Sequence, residues 1–156
     1  MKNTEALTTF LLNTLKARFQ TIDWQLYPDF EKLNGSDLPL ATLELSQIAL
    51  APHHDDRHYI HGIFDLKILF NATVKSQLLI RDCAMAIMFF LEDADFSKQD
   101  LSDIQIMSSG QDYFAPETEG FTAWQISFGI TALLAHESIY GDNSGNHLKE
   151  IKAQFH

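Results

Sequence analysis

With one cysteine in 156 residues, the chain has no means of closing an internal disulfide. Cys83 sits in an apolar run ending at Leu91, which reads as a buried structural thiol in a reducing compartment rather than as a nucleophile. That run is the longest purely apolar stretch and falls well short of a membrane span; Leu7 to Leu15 is broken by Thr8, Thr9, Asn13 and Thr14. Neither reads as an export signal or an anchor. Cations are scarce: 11 Lys and Arg against 21 Asp and Glu give a net charge of −10, so neutralising phosphates cannot be the main source of partner affinity. With seven glycines there is no Gly-rich phosphate loop, no Gly-x-Gly-x-x-Gly after a strand and no Gly-x-Ser-x-Gly elbow. What is present, 46% hydrophobic and 21% charged residues, suits one soluble globular domain with a sizeable core.

Leu7, Phe10, Leu11, Leu15 and Phe19 recur at helical spacing, with Asn3 placed to cap and Glu5 in the first turn, where the helix dipole favours an anion. A short strand follows from Trp24 to Tyr27, ended by Pro28, and Asn34 to Asp37 is a turn cluster. From Leu40 the chain alternates, Ala41, Leu43 and Leu45 against Thr42, Glu44 and Ser46. After a polar break at Ala51 to Arg57 it alternates again, Ile60, Phe64, Leu66, Ile68 and Phe70 against His61, Asp65 and Lys67. Two such runs form a hairpin with a long loop.

A second helix over 75–91 puts Leu79, Ile80, Cys83, Ala84, Ile87, Phe90 and Leu91 on one face and leaves Met85, Met88 and Phe89 outside it. A helix apolar over most of its circumference needs cover on a second side, and another subunit is the expected source. Ile104 and Ile106 open a third long strand. The last strand, 121 to 134, alternates Trp124, Ile126, Phe128, Ile130 and Ala132 with Ala123, Gln125, Ser127, Gly129 and Thr131, a core face and a small, polar face. Gly141 to Asn146 reads as a flexible linker, and Leu148, Ile151 and Phe155 as one face of a short amphipathic segment. The expected fold is α+β: an antiparallel or mixed sheet with two helices on one face, in a single domain over 1–137, followed by the linker and C-terminal segment over 138–156.

The one cluster with a chemical look is His53-His54-Asp55-Asp56-Arg57-His58, with His61 beyond it. Imidazole and carboxylate suit zinc, nickel or copper, but His53 and His54 are adjacent and cannot readily face one ion, and no zinc-enzyme spacing is present. The run is therefore read as a solvated loop whose histidines make a surface contact sensitive to mild acid. No metal, cofactor or catalytic residue is assigned, and the protein is not expected to be an enzyme.

The run Ser109-Gly110-Gln111-Asp112-Tyr113 follows Leu101-Ser102-Asp103-Ile104 and precedes Trp124 on the last strand. In that order and setting the chain resembles, over roughly residues 4–136, the tail terminator proteins of long-tailed phages and prophages, of the minor tail protein U type. The resemblance implies a fold like that of tail-tube subunits and a hexameric ring that caps the finished tube, stops its polymerisation and offers a surface for head joining. It implies as partners other copies of the chain, the tail tube protein and head–tail connector proteins, with DNA only as passing cargo and no membrane. The place implied is the virion tail, assembled in the host bacterial cytoplasm. The alternatives are another neck or tail morphogenesis component, or another homo-oligomeric binding module of the same fold. Interface candidates are His53, His54, Asp55, Asp56, Arg57, Met85, Met88, Phe89, Asp112, Tyr113, Gln125 and Ser127. Gly110 is expected to hold a positive-φ or close-approach position, and Tyr113 to pack at a strand end.

Overall fold

A computed structural model describes residues 1–29, 39–52, 57–113 and 120–135. In chain order these form α1 (Thr4–Arg18), β1 (Asp23–Gln25), β2 (Leu40–Leu50), β3 (Tyr59–Asn71), α2 (Val74–Asp93), a 3-10 turn (Ser97–Gln99), β4 (Gln105–Gln111) and β5 (Phe121–Leu133). The strands make one mixed sheet in the order β1-β2-β3-β5-β4, with β1 parallel to β2 and every other neighbour antiparallel. Both helices pack on one face, so the α+β fold read from the sequence is the fold observed. No helix among the described residues is long and apolar enough to cross a membrane.

Both helices begin where a side chain accepts an otherwise unpaired backbone donor. Asn3 Oδ1 takes the Ala6 N–H at 2.9 Å, and Thr73 Oγ1 takes that of Ser76 at 3.1 Å. α1 buries Leu7, Leu11 and Leu15; α2 buries Ile80, Ala84, Ile87 and Leu91. Beneath them the sheet contributes Ala41, Leu43, Phe64, Leu66, Ile68, Ile126, Phe128, Ile130 and Ala132 to the same core, with the Phe64 and Phe128 rings stacked 5.5 Å apart. Phe19, at the end of α1, meets Phe90 of α2 edge-on at 5.6 Å, and the Trp24 Nε1–H of β1 donates to the Phe19 carbonyl at 3.0 Å, which ties the sheet to the helix layer. A small second cluster, Leu40, Leu69 and Ala123, is buried at one end of the opposite sheet face.

Two irregularities reset the side-chain phase. The β2–β3 register shifts between Leu45 and Gln47. An extra residue there moves the following side chains by one position, so Ile48 and Leu50, rather than Gln47 and Ala49, share the helix side with Leu45. The second shift, between Ile106 and Ser108 against β5, leaves Met107 as the extra residue.

Several expectations need correction. Leu79, placed on the core face of α2, is exposed, whereas Met88, placed outside it, is half-buried against the core. Apart from half-buried Ser76, residues 74–79 are exposed, so core contact starts only at Ile80. The first short strand ends at Gln25 rather than Tyr27. Gly110 lies within β4 without a positive φ, and a Cβ added there would meet nothing within 4 Å, so neither expected constraint applies. Tyr113 is exposed rather than packed, its hydroxyl donating to Gln111 Oε1 at 3.1 Å. The C-terminal segment from 136 on, and with it the boundary expected at 137, lies outside the described residues.

Candidate functional site

The face of the sheet away from the helices carries most of the polar side chains singled out by alternation. Strand register places Glu44, Asp65 and Ser127 in one row across β2, β3 and β5, and Thr42, Lys67, Gln125 and Gly110 in the next. The Ser127 hydroxyl donates to Asp65 Oδ1 at 2.6 Å, and the Gln125 amide reaches Ser127 Oγ at 3.5 Å. From β3, Lys67 spans to Asp112 just past the end of β4, Nζ to Oδ2 2.9 Å, with both side chains largely shielded. Asp112 is held there by its own backbone N–H, which donates to the Ala123 carbonyl at 2.9 Å.

Further along this face, His61 Nδ1 lies 3.3 Å from Thr131 Oγ1. A Cβ added to Gly129 would stand 2.9 Å from two atoms of the His61 ring, so the glycine leaves the space that the imidazole occupies. Glu44 and Asp65 stand directly opposite each other on neighbouring strands. Like charges so placed repel, and the Ser127 proton on Asp65 offsets part of that cost. Beside them is an open cleft of ≈ 310 Å³, bordered by Leu26, Tyr27 and Pro28 on one side and by Thr42, Glu44, Asp65, Lys67 and Gln125 on the other.

Three of the interface candidates, Asp112, Gln125 and Ser127, therefore belong to one connected polar surface. Met85 and Phe89 are exposed on the helix layer, on the other side of the molecule, and Met88 turns inward. Arg57 is exposed, its guanidinium 5.9 Å from the centre of the Tyr59 ring. His53, His54, Asp55 and Asp56 lie outside the described residues. Asp65, Lys67 and His61 share the surface but were not among the candidates; their strict alternation on one strand was the signal that could have added them.

Chemically, this surface holds carboxylate, ammonium, amide and hydroxyl groups that are linked to one another. Ser127 is paired to a carboxylate without an imidazole between them, and the His61 ring is engaged with Thr131 two rows away. Among the described residues, no three His, Cys, Asp or Glu side chains are grouped to hold a metal ion. Burial raises the Cys83 thiol to about 11, so it stays protonated and unreactive near neutrality. The Asp95 carboxylate, just before the 3-10 turn, accepts the Ser97 backbone N–H at 3.0 Å and is held below its ordinary range by that bond and then by the Ser97 hydroxyl. No protein-family model and no curated protein matches the chain.

Proposed function

We propose that this protein is a structural subunit of a phage or prophage tail, which forms a ring on the completed tail tube, stops its polymerisation and presents a surface for head joining. The observation that carries the reading is a pair of sheet edges, at opposite sides of the molecule, that are open among the described residues. β1 covers β2 only at Leu40, Ala41 and Thr42, which leaves Leu43 to Leu50 unpaired on its outer side among the described residues, and β4 forms the other border. Ile48 and Leu50 are exposed along the first edge and Met107 along the second. Open edges present rows of backbone donors and acceptors that another strand can pair. Association of two unlike edges, repeated by rotation, closes a ring without using up either face of the sheet.

In this arrangement β5 lies inside the sheet and contributes through the outward side chains of Gln125 and Ser127, not through its backbone. The partners in this reading are other copies of the chain, the tail tube protein below the ring and connector proteins above it. The net charge of −10 suits a passage through which DNA slides without being held.

Electron micrographs of a lysate from a phage lacking this gene test the reading. Overlong tails are expected, with normal length restored by the wild-type chain and not by an Ile48→Lys/Leu50→Lys variant that still folds. Normal tails in the deletion overturn it. Normal tails from a chain that nevertheless forms rings would favour a homo-oligomeric module with another task.

A further inference from the structure

Two departures from regular sheet geometry meet on the face of the sheet away from the helices. On β5, Gly129 carries no Cβ, and one added there would stand 2.9 Å from both Cε1 and Nε2 of His61 and 3.7 Å from the Met107 sulfur. On β4, the register shift between Ile106 and Ser108 makes Met107 the extra residue, and a bulge of this kind re-aims the side chain it carries. An imidazole nitrogen and a thioether sulfur thus gather about one point, over a backbone that leaves them room. Met107 is 56% exposed and His61 half-buried, so the sulfur is open to solvent while the ring is held.

The two donors share one preference. Imidazole binds zinc, copper, iron and nickel, whereas a thioether selects soft ions such as Cu(I) and is not among the ordinary ligands of zinc. Asp65, the next carboxylate along β3, is engaged by the Ser127 hydroxyl, so the pair has no hard oxygen ligand beside it to favour magnesium or calcium. We propose that His61 Nε2 and Met107 Sδ hold one monovalent copper ion.

The surroundings of the ring suit this role. His61 Nδ1 lies 3.3 Å from Thr131 Oγ1, and in the tautomer whose Nδ1–H donates to that hydroxyl, Nε2 keeps its lone pair for the metal. Ligating histidines are oriented in this way, by giving the other ring N–H to an oxygen. Metal bonds of about 2.0 Å to nitrogen and about 2.3 Å to sulfur are reached by rotation of the unbranched Met107 side chain. The thioether is a donor outside the His, Cys, Asp and Glu groupings considered above. The site belongs to the single chain and does not rest on the ring.

Two soft ions test it on the full chain, at concentrations where light scattering shows a monomer. Cu(I) is supplied without oxygen as its bicinchoninate complex, and Ag(I), of the same charge and similar softness, is added to protein labelled with 13C-methyl methionine. The expected result is withdrawal of one equivalent of copper and a silver-induced shift of the Met107 methyl larger than those of Met1, Met85 and Met88. His61→Gln and Met107→Leu should each lose that equivalent while melting as the wild type does. Thr131→Val should weaken binding by about tenfold, and His53→Ala/His54→Ala should leave it unchanged. Copper retained by His61→Gln or by Met107→Leu overturns the proposal. So does a Met107 methyl that silver does not move, or loss of copper from His53→Ala/His54→Ala, which would assign the ion to the chain between β2 and β3.

Discussion

The two faces of the sheet are built from the same strands and differ in what holds them. On the helix side, β3 and β5 contribute Phe64, Leu66, Ile126 and Phe128 to a core sealed by α1 and α2. On the other side, the same strands present Asp65, Lys67, Gln125 and Ser127, linked by hydrogen bonds and one ion pair at the border of solvent. Stability is thus concentrated on one face, where each side chain is closely surrounded. The other face is held by hydrogen bonds and an ion pair between side chains, not by close apolar packing.

Substitutions along the two faces should separate these roles. Phe128→Ala removes half of the stacked pair in the core and should cost about 3–5 kcal/mol, read as a lower denaturation midpoint with little change in slope. Gly129→Ala, the next residue and on the other face, forces the His61 ring away from Thr131; a loss of about 1 kcal/mol and a displaced imidazole signal in NMR are expected. Lys67→Ala breaks the pair with Asp112 and should cost at most about 1 kcal/mol, diminishing as salt is raised. The smallest effect is expected at Gly110→Val, within about 0.5 kcal/mol of wild type, because the backbone there is ordinary and the space open. A loss at Gly110 as large as that at Phe128, measured by the same denaturant titration, would break the comparison.

How much of this was legible in the sequence depended on whether a pattern stayed in phase. β5 keeps strict alternation from Ala123 to Ala132 and each residue lies on the face expected of it, but Ala123, expected on a small polar face, is buried there with Leu40 and Leu69. The Asn3 cap of α1 also lies where expected. β2 loses phase at Ser46-Gln47, where two adjacent polar residues mark the register shift, and a reading that stops at Ser46 does not see that Ile48 and Leu50 continue the helix side. On α2 the apolar residues are too many for periodicity to choose a face. The sheet makes the choice, burying Ile80 and drawing in Met88 while leaving Leu79 in solvent. Gly110 shows the opposite limit: its place in a suggestive motif raised an expectation that its backbone does not meet. The outer polar surface was half legible, since alternation put Asp65, Lys67, Gln125 and Ser127 outward, but only the strand order brings Asp112 within reach of Lys67.

The brief parallel pairing of β1 has a consequence for any strand that would join the sheet. β1 occupies the edge of β2 opposite Leu40, Ala41 and Thr42 and then leaves it at Gln25. An incoming strand finds the first positions taken and can begin only where β1 has turned away. For a strand of another subunit, if the proposed ring forms, that stop would fix the starting position before any side chain is recognised, and three residues at the rim would serve as its ruler.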